Sequence, residues 1–249
     1  VPNDDQGGIV PAELEAAIRD KGNIHVPPTT LLCLENTHNR CNGGVLTPQD
    51  TKALSDIAHA HGAAVHLDGA RIFNAAIALE VSPRELVKDV DDVSFCLSKG
   101  LSAPVGSLIC GSSEFVDRAR KWRKMVGGGM RQAGVLAAAG IVALETGIER
   151  LAEDHSHARR LAEGLSQIPG IAVDPERFPT NIVFADVDPR LGPVQQYMGR
   201  LSQAGVLVSS PGANRVRMVT HRHIDAEDVD TAIDRVASVS KDMLVSTSR

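Results

Sequence analysis

Short apolar runs alternate with longer amphipathic stretches through the first half of the chain. The apolar runs predict strands over 30–34, 63–67, 93–97 and 105–110. The amphipathic stretches begin with proline or a polar cap and predict helices over 11–21, 48–61, 72–79 and, more briefly, from Ser82. This alternation predicts an α/β fold, with a mostly parallel sheet and helices on both of its faces.

The pattern changes after the fourth predicted strand. Three successive helices are predicted over 115–125, 132–144 and 147–165. Short strands then follow over 182–185, 206–209 and 216–220, with helices over 194–204 and 225–244. We therefore predict a large domain over 1–148 and a small α+β domain over 149–249.

Composition narrows the class of protein. Of 249 residues, 43% are hydrophobic, 3% are aromatic and the net charge is −5. Without a basic stripe interleaved with aromatic residues, we expect no nucleic-acid partner. Without an apolar run of about 18 residues, we expect no membrane span. Cys33, Cys96 and Cys110 lie in apolar runs and predict buried free thiols, as in a protein of the reducing cytoplasm.

Polar side chains follow three of the predicted strands. They are Glu35-Asn36-Thr37-His38, Asp68-Gly69-Ala70-Arg71 and Ser98-Lys99. If the strands are parallel, their carboxyl ends meet at one edge of the sheet, where open α/β sheets bind ligands.

Lys99 is the residue on which the chemistry would depend. Most lysines at strand ends are solvated, but desolvation favours the neutral amine, which attacks carbonyl groups. Asp68 on the neighbouring strand end is the type of residue that pairs with a protonated pyridine nitrogen. Alternatively, Asp68 and Arg71 form a cap and ion pair at a helix start. Our hypothesis is that Lys99 forms a Schiff base with pyridoxal 5′-phosphate.

Several stretches together resemble the low-specificity L-threonine and L-allo-threonine aldolases, pyridoxal-phosphate lyases of the aspartate-aminotransferase-like fold (fold type I). The matching stretches are 32–39, 66–75, 96–101, 104–107, 122–125 and 128–132. The resemblance covers nearly the whole chain and is most specific in Asp-Gly-Ala-Arg and Leu-Ser-Lys-Gly. It implies cleavage of a β-hydroxy-α-amino acid, L-threonine or L-allo-threonine, to glycine and acetaldehyde. It also implies a cytoplasmic homotetramer, a dimer of dimers, in threonine catabolism and glycine biosynthesis.

The resemblance assigns the cofactor-binding residues within the large domain. Lys99 would be the Schiff-base lysine and Asp68 the partner of the pyridinium nitrogen. Arg71 would contact the cofactor hydroxyl or the substrate carboxylate. Arg131 would reach the cofactor phosphate across a subunit interface.

The resemblance also assigns two residues to the substrate. Arg217 would bind the α-carboxylate, although Arg215 lies two residues earlier on the same predicted strand face. His25 would lie near the substrate hydroxyl as its base, with water or a simple loop histidine as alternatives. The spaced pairs His155/His157 and His221/His223 lack a further ligand, so we predict no metal site.

The resemblance leaves part of the family's site outside this sequence. The family's cofactor-stacking histidine and phosphate-binding loop lie upstream of Val1, and a sheet without those strands would have unpaired edges. We therefore expect a separate N-terminal fragment packed beside this chain. Alternatives are another fold-type-I enzyme, a β-eliminating lyase or aminotransferase, or a non-catalytic fragment that no longer binds cofactor.

Overall fold

The computed structural model describes residues 1–212 and 214–247, and they form two units. The first unit comprises residues 1–41 and 45–151, and the second comprises residues 42–44 together with the chain from Ala152 onwards. The predicted domain boundary after residue 148 lies close to this division. None of the helices in the described part of the chain is long and apolar enough to cross a bilayer.

A four-stranded sheet organises the first unit. Its strands, in both spatial and sequence order, are β1 (Leu31–Glu35), β2 (Ala64–Asp68), β3 (Asp92–Cys96) and β4 (Ser107–Gly111). The first three strands are parallel, and β4 pairs antiparallel with β3. The predicted mostly parallel sheet is therefore confirmed.

Helices make up much of the rest of the first unit. They are α1 (Pro11–Ala17), α2 (Pro48–Ala60), α3 (Ile72–Leu79), α4 (Pro83–Val87), α5 (Ser113–Met125) and α6 (Gly134–Thr146). Thr47 and Asp50 form a reciprocal capping box at the start of α2, as their spacing predicts. The start of α4 is likewise capped by Ser82.

One face of this sheet forms the main core of the first unit. Leu34, Val65, Leu67 and Val93 lie on that face and pack with apolar residues of the helices and loops around it. Alternate positions of β1 and β2 project to the other face, where Leu31 is 49% exposed. The sheet is therefore covered unequally on its two faces.

The second unit has an antiparallel sheet of four strands in the order β5-β6-β8-β7. Its elements are α7 (Leu151–Ser166), β5 (Ile171–Ala172), β6 (Ile182–Val187), α8 (Val194–Gln203), β7 (Ser209–Gly212), β8 (Arg215–Val219) and α9 (Ala226–Thr247). Buried residues from both the strands and the helices α7, α8 and α9 form a single core.

Several predicted element boundaries are wrong, including the start of α7, which begins at Leu151 rather than at residue 147. Two others have a local physical reason. The first helix ends at Ala17 rather than near Gly22, because Ile18 is extended and the Arg19 amide donates to the Thr29 hydroxyl instead. The apolar run over 206–209 does not form a strand. Its Val206 amide completes the end of α8 by donating to the Leu201 carbonyl, and β7 begins only at Ser209.

The predicted burial of the cysteines is also wrong. Cys33 and Cys110 are exposed and Cys96 is half-buried, and all three are free thiols. Cys33 is an alternate position of β1 that projects away from the core, and β4, which contains Cys110, is exposed along its length. An apolar run predicts a strand, but it does not determine which strand face is covered.

Candidate active site

The carboxyl ends of β1, β2 and β3 meet at one edge of the first sheet. Glu35 is in register with Asp68, and Asp68 with Ser94. Backbone bonds extend the pairing into the turns, since the Asn36 amide donates to the Asp68 carbonyl at 2.9 Å and the Gly69 amide to the Ser94 carbonyl at 2.8 Å. The three polar strand ends found in the sequence therefore lie along one rim.

Asp68 is the central residue of this rim. Its Oδ1 accepts the Ala70 amide at 3.0 Å, and the side chain is exposed. The turn that follows is tight, because a Cβ on Gly69 would lie 3.1 Å from side-chain atoms of Ile72 and Val93. Arg71 is the N-cap residue of α3 and is half-buried, but its side chain does not cap the helix. Asp68 therefore binds the turn before α3 rather than capping that helix.

Lys99 lies in the turn after β3 and is exposed. The turn is closed by the Ser102 amide, which donates to the Lys99 carbonyl at 2.8 Å. Buried Leu97 and Leu101 anchor the turn on either side of the lysine. Gly100 packs so closely that a Cβ there would lie 2.7 Å from Leu151 Cδ2. The Lys99 amine is thus exposed to solvent on a closely packed turn.

The end of β1 carries polar residues to which the sequence analysis assigned no specific role. Glu35 Oε1 accepts the Asn39 amide at 2.8 Å, and Glu35 Oε2 lies 3.6 Å from His38 Nε2. Thr37 is buried, and its hydroxyl has no hydrogen-bond partner among the described residues. The sequence signals for these side chains were their position at a strand end and their place in the matching stretch 32–39.

Two further predicted site residues of the first unit, Arg131 and His25, lie in loops. Arg131 is exposed in the loop between α5 and α6. His25 is exposed in the turn before β1, where its amide donates to Asn23 Oδ1. That turn is tied to the amino end of β2 by the bond from Lys21 Nζ to the Gly62 carbonyl. His25 therefore lies near the opposite edge of the sheet from Asp68.

Arg217 lies on β8 of the second unit, where it is half-buried and in register with Phe184. Burial lowers the pKa of its guanidinium, which stays cationic at neutral pH because an arginine is so strong a base. The rival, Arg215, is engaged by its surroundings. It contacts Asp186 at 3.1 Å and Asn42 at 3.3 Å, and its guanidinium lies 4.8 Å from the centre of the Phe184 ring.

Two histidine pairs lie in the second unit. His221 and His223 pack edge to face, 5.8 Å between ring centres. Burial lowers the pKa of His155 to about 4, so its imidazole is neutral at physiological pH. No group of three metal-ligating side chains occurs within residues 1–212 and 214–247.

The rim combines an amine, a carboxylate and a guanidinium on adjacent parallel strands. An amine can hold an aldehyde covalently, and a carboxylate can pair with a protonated ring nitrogen. A guanidinium can bind a phenolate or carboxylate oxygen. This donor set fits the cofactor expected from the sequence.

Comparison with known proteins agrees with this chemistry. The model of the beta-eliminating lyase family matches residues 1–190. The low-specificity L-threonine aldolase 1 of Arabidopsis thaliana is 45% identical over 232 residues, 92% of this chain and 64% of the relative. The low specificity L-threonine aldolase of Escherichia coli K12 is 40% identical over 223 residues, 89% of this chain and 64% of the relative. The chain thus spans just under two thirds of the length of these relatives.

Solved structures share the fold at low identity. The threonine aldolase of Leishmania major superimposes with a TM-score of 0.74 at 18% identity, covering 96% of this chain and 70% of that chain. A PLP-dependent aminotransferase of Streptococcus suis gives a TM-score of 0.73 at 18% identity, covering 93% and 61%. The predicted fold type I is confirmed, as is the predicted resemblance to threonine aldolases.

Proposed function

The chain belongs to the beta-eliminating lyase family, and from this premise we propose that the intact protein is a pyridoxal-phosphate-dependent carbon–carbon lyase. It cleaves L-threonine or L-allo-threonine to glycine and acetaldehyde. The observation that carries the proposal is that Asp68 ends β2, while Lys99 lies in the turn that follows the adjacent parallel strand β3. The names of the Arabidopsis and Escherichia coli relatives support the same reaction.

Pyridoxal phosphate, when bound, accepts the electron pair of the substrate bond that breaks at Cα. The Lys99 amine would hold the aldehyde carbon of the cofactor. Asp68 would hold the proton on the ring nitrogen, and its hydrogen bond from the Ala70 amide orients the carboxylate. Arg71 would contact the ring hydroxyl or the substrate carboxylate, and Arg131 of a neighbouring copy would contact the phosphate.

Substrate orientation determines which bond at Cα breaks. As the resemblance implies, Arg217 would bind the α-carboxylate of the substrate, and Arg217 and Arg71 would together orient the Cα–Cβ bond for cleavage. The resemblance assigns this role to Arg217, and its neighbour Arg215 contacts Asp186, Asn42 and Phe184. The β-hydroxyl proton is removed by His25 or by water. Since His25 lies away from the rim within one chain, its role requires a neighbouring copy.

The partners follow from the same proposal. The substrate is a small β-hydroxy-α-amino acid, and the protein acts in the cytoplasm as a homo-oligomer, a dimer of dimers. Exposed apolar side chains on and around α5 and α6 support self-association, among them Trp122, Met125 and Ile141. The separate N-terminal fragment stays a prediction, and mass spectrometry of the purified protein tests it.

Absorbance spectroscopy of the purified protein tests the lysine assignment. Lys99→Ala is expected to abolish the visible band of the cofactor–lysine adduct and to eliminate acetaldehyde release from threonine. The matched control is Lys88→Ala, which removes another exposed lysine, one that pairs with Glu85 at 3.2 Å, and should change neither readout. Retention of the visible band in the Lys99 variant would refute the assignment.

The family is described as beta-eliminating lyases, so β-elimination is a second candidate reaction. A β-eliminating lyase or an aminotransferase would form a keto acid, whereas an aldolase releases acetaldehyde from threonine. Assaying both products with the intact protein separates these reactions. Adding pyridoxal phosphate to the 249-residue chain alone tests the non-catalytic alternative, which predicts no spectral change.

A further inference from the structure

The turn after β1 has no role in the proposed reaction, yet it lies beside Asp68. Glu35 is in register with Asp68 on the adjacent parallel strand. Neighbouring strands are about 4.8 Å apart, and paired positions project from the same face of the sheet. The two side chains therefore leave one face from neighbouring positions, where like charges repel each other.

Glu35 is held by its own turn. Its Oε1 accepts the Asn39 amide at 2.8 Å, and its Oε2 faces His38 Nε2 at 3.6 Å. The Arg40 amide donates to His38 Nδ1 at 3.3 Å. Nδ1 is thus an acceptor, which leaves the imidazole proton on Nε2, facing Glu35. One oxygen of the carboxylate is therefore held by a backbone N–H group, and the other faces the imidazole of His38.

His38 is fixed in turn by the amino-terminal segment. Its side chain is 13% exposed. Gly7 is buried at φ +88°, and a Cβ there would lie 2.3 Å from His38 Cβ. Only glycine lets this segment pack so closely on the histidine. One cavity is lined by Gly7, Glu35, His38 and Asp68, among other residues. Glu35 and His38 are therefore part of the cavity wall beside Asp68.

We propose that Glu35 and His38 are positioning residues for the ring nitrogen of the cofactor. The negative charge of Glu35, held beside Asp68, strengthens the electrostatic interaction between Asp68 and the protonated nitrogen. Charges at a partly buried edge are screened less than in open water, so the second anion acts on that proton through space. The inference rests on the proposed function and adds to it two residues that touch neither cofactor nor substrate.

The test is a comparison of two cofactors in the intact protein. Equilibrium titrations measure the Kd of pyridoxal phosphate and of its 1-deaza analogue, in which a carbon replaces the ring nitrogen. Glu35→Gln keeps the side-chain shape and an oxygen for the Asn39 amide but removes the charge. We expect it to raise the Kd of pyridoxal phosphate roughly tenfold, the equivalent of one pKa unit of interaction. The Kd of the analogue should not change.

Matched variants separate positioning from general damage. His38→Gln keeps an N–H donor near Glu35 and should resemble the wild type, whereas His38→Phe should resemble Glu35→Gln. Gly7→Ala displaces His38 and should show the same selective loss. Gly22→Ala, whose Cβ would meet Asp20 only at an ordinary 3.4 Å, should leave both Kd values unchanged.

The outcomes distinguish the two proposals. An equal loss of affinity for both cofactors in Glu35→Gln would mean a purely structural role and would overturn the inference. Unchanged affinity for both would also overturn it. Failure of the wild-type protein to bind pyridoxal phosphate would instead overturn the proposed function itself. If Glu35→Gln does not fold, the contrast between His38→Gln and His38→Phe decides the question.

Discussion

Strands β6 and β4 are both rich in apolar residues, yet their burial is opposite. In β6, Ile182 and Val183 are fully buried, because helices and neighbouring strands of the second unit cover both faces. In β4, every residue is exposed, including Leu108 and Ile109. The difference teaches that apolar composition gives a strand its tendency to pair, whereas its packing partners decide how much it stabilises the fold.

The largest expected contrast comes from the same substitution in both strands. Ile182→Ala should lower the free energy of unfolding by about 2–5 kcal/mol, since it leaves a cavity in a closed core. Ile109→Ala, at a side chain that is 43% exposed, should change it by about 0.5 kcal/mol or less. Urea unfolding followed by far-UV circular dichroism measures both. An equal loss from Ile109→Ala would mean that β4 is covered in the protein in solution.

The two units should also respond differently to acid. Burial lowers the pKa of His155 in the second unit from 6.5 to about 4. As the pH falls from 6.5 to 4, the unfolded chain binds a proton that the folded chain does not, so stability falls. The loss reaches about 3 kcal/mol near pH 4. Thermal unfolding followed through Tyr197, the single tyrosine of the chain, should show this trend, and His155→Gln should reduce it.

In the first unit, Asp91 should lose its contribution to stability at a lower pH than His155 does. Burial by itself would raise its pKa, but the hydrogen bonds from His59 and the Val65 amide outweigh burial, and the pKa is lowered. Its contribution is therefore present above the ordinary value of 3.8 and is lost only as the pH falls further. If His155→Gln leaves the loss between pH 6.5 and 4 unchanged, His155 is not its source.

The smallest expected effect concerns the packing of the turn that carries Lys99. Gly100→Ala forces a Cβ against Leu151, and overpacking of this kind costs about 1–3 kcal/mol. Gly134→Ala at the start of α6 meets no atom within 4 Å and should be neutral or slightly stabilising. Thermal unfolding compares the two variants. No difference between them would mean that the turn carrying Lys99 adapts freely, in contrast to the closed core of the second unit.

Most elements of the fold could be predicted because their signals are local. The capping box at Thr47, the proline at the start of α4 and the period of the apolar runs depend on residues within one turn or strand. The bounds of α3 agree with the sequence at both ends. The end of α1 could not be predicted, because it depends on a hydrogen bond from Arg19 to Thr29 across a loop.

The sequence by itself determined the alternation of strands and helices and the chemistry at the strand ends, because both depend on near neighbours and on the parallel order they imply. Only the tertiary structure decided which strand faces are covered, as the exposed Cys33 shows. It also decided that Arg215 is engaged by Asp186 while Arg217 is in register with Phe184. Likewise, it placed Gly7 against His38, since contacts between residues far apart in sequence leave no local pattern.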